Sequence, residues 1–119
     1  MISRRFSPQV EHADAARYID PMNRSRLIDQ LKACAHAVKA EGATALFVYG
    51  SRARGDNRPD SDLDVCVDYV RGSGFSLMNL AGIYNVLSEH TGLEVSITTR
   101  NSLHPKLKDT IEHEAVQIF

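Results

Sequence analysis

The chain has 119 residues, the length of one domain, with 43% hydrophobic and 24% charged residues. A core can form at that size and composition without disulfides or a structural metal. Its 14 basic and 15 acidic residues leave a formal net charge of -1, which excludes a global field drawing the protein onto nucleic acid or an anionic membrane. No basic run is long enough to supply a local patch, so direct nucleic-acid binding is not expected.

Residues 1–22 read as an N-terminal extension. The first ten are polar and carry Pro8, Glu11 to Ile19 has room for a short helix, and Asp20-Pro21 then stops it, because a proline disfavours helical geometry in the residue before it. Arg4 and Arg5 are followed by no apolar segment of the secretory kind. No stretch has the length of a bilayer span, so the cytoplasm is the expected compartment.

Residues 23–119 read as the domain itself. Leu27, Ile28, Leu31, Cys34, Ala35 and Val38 fall at helical spacing, predicting a helix from Arg24 to Glu41 that ends at Gly42. Ala45 to Tyr49 is a continuous apolar run of the kind a buried strand shows, and it stops at Gly50-Ser51. Ser51 to Asp60 is polar and loop-like, with room for a short helix at its start. Leu63, Val65 and Val67 alternate with Asp62, Asp64, Cys66 and Asp68, predicting a second strand. After a turn at Arg71 to Gly74, Leu77, Leu80, Ala81, Tyr84 and Leu87 mark a helix ending near Gly92. Leu93 to Thr98 alternates again as a third strand, and Leu103, Leu107, Ile111 and Ala115 mark a last helix. Cys34 and Cys66 sit in apolar patterns and read as reduced, buried small hydrophobes. The element order predicts an α/β (α+β) fold, a small mixed sheet with flanking helices.

The chemistry concentrates between the first two strands. A glycine at the end of a buried strand lets another group approach the backbone closely. Amides of a helix starting at Ser51 would face a phosphate, the Ser51 hydroxyl could add to them, and Arg52 and Arg54 could supply charge-assisted contacts. Gly50 and Gly55 have P-loop spacing, but Asp56 and Asn57 stand where that motif needs Lys and Ser or Thr. Asp62 and Asp64 leave one face of a strand with Cα atoms roughly 6.5 Å apart. Such a pair repels itself and is suited to a divalent cation, since Mg²⁺ takes one or two carboxylates together with substrate phosphates. The five histidines are scattered without metal-ligand spacing.

Gly50-Ser51, ten residues, then Asp62-Leu63-Asp64 resembles the signature of the DNA polymerase β-like nucleotidyltransferase superfamily. The fuller string Gly50-Ser51-Arg52-Ala53-Arg54-Gly55 with Ser61-Asp62-Leu63-Asp64 is similar to its minimal nucleotidyltransferase branch, and the similarity runs to the closing Glu114-Ala115-Val116. The resemblance implies the nucleotidyltransferase fold, triphosphate held at the Gly-Ser turn, and Mg²⁺ held by Asp62 and Asp64. It also implies a third carboxylate on the third strand that helps deprotonate an acceptor hydroxyl. Many minimal members pair, as antitoxins, with a toxin of the HEPN family, and some transfer AMP to a tyrosine on it.

Here the sequence departs from the pattern. Counting back from Asn101-Ser102-Leu103 puts the third carboxylate at Ser96, which cannot serve as one. Glu94 shares that face two residues earlier and is the remaining candidate. The expected function is therefore transfer of a nucleotidyl group from ATP or another nucleoside triphosphate to a hydroxyl of a protein partner. The expected sites are Gly50, Ser51, Arg52 and Arg54 for nucleotide, Asp62 and Asp64 for metal and catalysis, and Glu94 as a further catalytic carboxylate. The expected partner is a HEPN-family protein, and a homo-oligomer is compatible with the sequence. The alternative is a catalytically weakened module that neutralises such a partner by contact.

Overall fold

The computed structural model describes residues 23–119; the predicted extension 1–22 lies outside the described residues. The elements are α1 (Arg24–Ala33), α2 (Ala35–Ala40), β1 (Ala43–Tyr49), α3 (Gly50–Arg54), β2 (Leu63–Tyr69), α4 (Leu77–Thr91), β3 (Val95–Thr99), a 3₁₀ turn (Arg100–Ser102), α5 (Pro105–Glu114) and β4 (Val116–Gln117). The sheet order is β3-β2-β1-β4. β1 is antiparallel to both β2 and β4, and β2 is parallel to β3. The predicted mixed sheet with flanking helices is the observed one.

The period of two decides which residues face which layer. Leu46 and Val48 of β1 and Leu63, Val65 and Val67 of β2 share one face, and all are fully buried or nearly so. Leu27, Leu31 and Val38 of α1 and α2 and Ile83 and Leu87 of α4 pack onto them to make the main core. The opposite face carries Phe47 and Tyr49, Asp64, Cys66 and Asp68. Helix α5 and its flanking residues cover only part of it, through Leu103, Ile111 and Ala115 against Cys66, Phe47 and Tyr49. The end bearing Asp64 is left outside that second cluster.

Local chemistry sets the helix boundaries. The Asn23 side chain accepts from Arg26 N–H at 2.9 Å, an N-cap that satisfies one of the first turn's orphan donors. Gly92 closes α4 with φ 71, a left-handed value that glycine takes without steric cost. At α5, Pro105 occupies the first turn, where no amide is required.

Three details differ from the sequence reading. The single predicted helix from Arg24 is two helices, broken at Cys34. The Cys34 amide donates to Leu31 O at 3.0 Å, a tightened turn, while its thiol donates to Gln30 O at 3.2 Å. Side-chain donors can take a carbonyl that the helical ladder would otherwise use. The first strand begins earlier than predicted, at Ala43, with a register shift between Ala43 and Ala45. A fourth strand also forms: Phe47 pairs with Gln117 and Val48 with Val116, covering the free edge of β1. Two residues are too few for periodicity to announce a strand. Among the described residues, no helix is long and apolar enough to cross a membrane.

Leu46 sits at the centre of the main core with no exposure. Leu46→Ala should therefore destabilise the fold by about 2–5 kcal/mol, since cavity and transfer costs add. Urea unfolding would read this as a lower midpoint at unchanged slope. Val70→Ser, at a residue 58% exposed, should stay within about 0.5 kcal/mol of wild type.

Candidate active site

β1 runs toward the open end of the sheet and β2 runs away from it. Their register sets Tyr49 opposite Asp64, so the turn after β1 and the carboxylates entering β2 meet at one place. Gly50 takes φ +76, in the left-handed region. A Cβ at Gly50 would lie 2.6 Å from Asp64 Oδ2, so any side chain there would displace the turn or the carboxylate. Gly50 is thus required twice, for its backbone angle and for the close approach to Asp64.

Asp62 is exposed and Asp64 half-buried. Burial is the main cause that pushes the Asp64 carboxyl above the usual carboxylate range; the Asp62 charge adds to it, and Arg54 pulls the other way. The same surroundings raise the Tyr49 phenol, through burial first and then the Asp64 charge. The Cys66 thiol, further along β2, is pushed up to about 11, again mainly by burial. It stays a thiol at neutral pH, consistent with its reading as a small core residue.

The parallel register pairs Asp64 with Ser96, so Ser96 occupies the rung beside the second aspartate. Glu94 lies one step back, next to Asp62, and its carbonyl accepts from Leu63 N–H at 2.8 Å. The Glu94 side chain accepts from the Tyr84 hydroxyl at 2.9 Å, which draws its carboxylate toward α4. Among the described residues, no three or more His, Cys, Asp or Glu side chains are gathered so as to hold a metal ion. Asp62 and Asp64 alone would leave a divalent cation needing phosphate oxygens or water, a donor set that Mg²⁺ accepts.

The two arginines of α3 behave differently. Arg52 is 2% exposed. Its Nε donates to Ser61 O at 3.1 Å, and its Nη2 donates to Ser61 O at 2.9 Å and Pro59 O at 3.1 Å. A guanidinium this buried needs partners for its N–H groups, and it finds them in the loop that delivers Asp62. Arg54 is on the surface. Its Nε donates to Asp56 Oδ2 at 3.0 Å, and its Nη1 donates to both carboxylate oxygens of Glu114, at 3.1 and 3.3 Å. Glu114 also accepts from the Gly50 amide at 3.2 Å. Sequence reasoning assigned Glu114 no role at the site. The available signal was an acid at the last position of a helix, where the dipole disfavours negative charge.

A cleft of about 230 Å³ opens between α5 and the sheet, lined by Phe47, Cys66, Arg100, Lys108, Ile111 and Gln117 among others. None of Gly50, Ser51, Asp62 or Asp64 lines it.

Comparison with known proteins supplies the family. The family model described as a nucleotidyltransferase domain matches residues 28–118. A candidate protein adenylyltransferase of Methanocaldococcus jannaschii is 40% identical over 78 residues, 66% of this chain and 82% of that protein. The solved structure of a candidate minimal nucleotidyltransferase superposes with a TM-score of 0.71 at 31% identity, covering 82% of this chain and 98% of that one. A toxin–antitoxin crystal structure with AMP-PNP shares the fold, with a TM-score of 0.62 at 14% identity over 76% of this chain and 73% of that chain. With a strand-end Gly-Ser turn packed on an Asp-x-Asp strand and a family match across most of its length, the chain belongs to the nucleotidyltransferase domain family.

Proposed function

We propose that this protein binds a nucleoside triphosphate, ATP in the first instance, together with Mg²⁺, and transfers the nucleotidyl group to a hydroxyl on a protein partner. The observation that carries this reading is the contact of Gly50 with the Asp64 carboxylate. It supports the reading by bringing the turn proposed for phosphate and the acid proposed for metal to one point. The 40% identity to a candidate protein adenylyltransferase supports a protein acceptor. The shared fold with a toxin–antitoxin structure carrying AMP-PNP supports adenine nucleotide and a toxin partner, for which the HEPN family is the first candidate.

In this mechanism the chain's own residues act by position and charge, as phosphoryl-type transfer requires. The Ser51 hydroxyl and the adjoining amides hold phosphate oxygens, and Arg54, held by Glu114, presents its guanidinium to the phosphate. Asp62 and Asp64 would hold Mg²⁺, which neutralises phosphate charge when bound. Arg52 anchors the Asp62 loop from beneath and is a positioning residue. Glu94, beside Asp62 in the parallel register, is the further carboxylate proposed for the acceptor hydroxyl. Without an acid at Ser96, general-base assistance is weak, and its loss typically costs about 10²–10⁴-fold in rate. That same serine favours the second reading, a module that neutralises its partner by contact without turnover.

Titrating ATP with and without Mg²⁺ by calorimetry tests the first reading. Mg²⁺-dependent binding is expected in wild type and is expected to vanish in Asp64→Asn; no binding by wild type would refute it. Asp62→Asn with Asp64→Asn should abolish transfer and leave the fold intact. A double variant that still neutralises the partner would favour the contact module.

The pH dependence follows from Asp64. Its folded-state carboxyl lies above the ordinary 3.8, so the folded protein holds that proton more tightly than the unfolded chain does. Metal-free stability from this group is therefore present below 3.8 and is lost as pH rises through the folded value. Relative to wild type, Asp64→Asn should gain melting temperature as pH rises across that window, without Mg²⁺. An unchanging difference would contradict the assignment. Mg²⁺-ATP binding should strengthen over the same rise, because it needs the ionised acid.

Arg52→Ala should cost about 2–4 kcal/mol, since it removes a buried guanidinium and its hydrogen bonds to the Pro59 and Ser61 carbonyls. Denaturant unfolding checks that cost. A neutral outcome would mean that water or other groups replace the guanidinium.

A further inference from the structure

We infer that Glu114 is the positioning residue of the Gly50-Ser51 turn, holding the turn's backbone and Arg54 in the arrangement that receives phosphate. This rests on the nucleotide-binding reading above.

Glu114 stands where local forces oppose it. It is the last residue of α5, at the negative end of the helix dipole. It also meets Gly50, which the Asp64 carboxylate approaches closely. Its side chain is only 19% exposed, so the charge is not simply left in water. Two contacts offset these costs: the Gly50 amide and the Arg54 guanidinium. Charge-assisted bonds of this kind are roughly twice as strong as neutral ones.

The sheet delivers Glu114 to that point. Val48 pairs with Val116 across β1 and β4. Continuing the antiparallel register by two residues sets Glu114 opposite Gly50, 64 residues away in sequence. The short fourth strand is thus more than an edge cover, since it fixes the reach of the α5 terminus to the turn. Gly50 is held from both sides, by contact with Asp64 and by the bond to Glu114. Slack at Gly50 would move the turn relative to the metal-binding acid. A misplacement of about 1 Å at a reacting site can cost on the order of 10²-fold.

The test uses Glu114→Ala, Glu114→Gln and, as a control on the same helix, Glu112→Ala. Hydrogen exchange by NMR reads the Gly50 amide directly and needs no nucleotide. In Glu114→Ala, Gly50 exchange should accelerate about tenfold or more, while the core amides of Leu46 and Val65 keep their wild-type rates. Glu114→Gln keeps an acceptor oxygen for Gly50 but loses the ion pair, so its exchange should be nearly wild type. Calorimetry with ATP and Mg²⁺ should show the dissociation constant raised about tenfold in Ala and less in Gln, with Glu112→Ala unchanged. Gly50 exchange that is unaltered in Glu114→Ala overturns the proposal, as does an unaltered ATP dissociation constant. If Glu114→Ala does not fold, the Gln variant decides by its Arg54 contact: an ATP affinity equal to wild type overturns the proposal. A wild type that binds no ATP refutes the nucleotide reading instead, and the exchange measurement still decides whether Glu114 holds the turn.

Discussion

The pairing of Tyr49 with Asp64 across β1 and β2 is the constraint from which the rest of the site follows. Antiparallel pairing of strands this close in sequence makes the end of one meet the start of the other. The turn leaving β1 must then cross the face from which Asp64 projects. Only a residue without a side chain can do so, and Gly50 is that residue. The ten residues between Ser51 and Asp62 have to travel out and return in register. Arg52 makes the return reproducible by drawing the carbonyls of Pro59 and Ser61 onto one buried guanidinium. A site assembled from a turn and a strand thereby gains the rigidity of the sheet.

The large elements were legible because each buries a face. Leu63, Val65 and Val67 alternate with Asp64 and Cys66 because the sheet divides a helix-packed side from a partly open one. The helical spacing in α1, α4 and α5 reports the same division. Gly50, Asp62 and Asp64 were legible because a strand-end glycine and same-face acids carry unusual constraints. What escaped was set by contacts without periodicity. The break at Cys34 depends on one thiol reaching a carbonyl. β4 is defined by pairing over two residues, with no pattern of its own. The inward turn of Arg52 could not be read, because an arginine beside a Gly-Ser turn serves phosphate and backbone carbonyls equally well by composition. Only its burial separates the two uses.

Electrostatically, the site is an acid-rich corner of a protein near neutrality. Asp64 and Glu114 both meet Gly50, Asp62 stands near Asp64, and Arg54 bridges Glu114 and Asp56. Such a corner is most stable with a further positive charge in it. The Asp64 carboxyl is raised mainly by burial, and the Asp62 charge adds to it. Arg54, half-exposed and shared between Asp56 and Glu114, is the more accessible of the two arginines. Arg52 cannot be redirected without opening the loop. The two arginines of one short helix thus divide the work, one holding structure and one left near the surface where a phosphate would arrive.

Ser96 is where the fold and the chemistry part company. The register that places it beside Asp64 is specified by burial of Val95, Ile97 and their neighbours on the other face. A slip of one residue would invert every side chain of β3, and a slip of two would move Glu94 into the rung at the expense of two ladder positions. Glu94 therefore cannot become the third acid by sliding the strand. It could contribute only by releasing Tyr84 and extending its side chain along the face, which exchanges a bond to a phenol for a site already crowded with two like charges. A bound cation is what would make that exchange favourable.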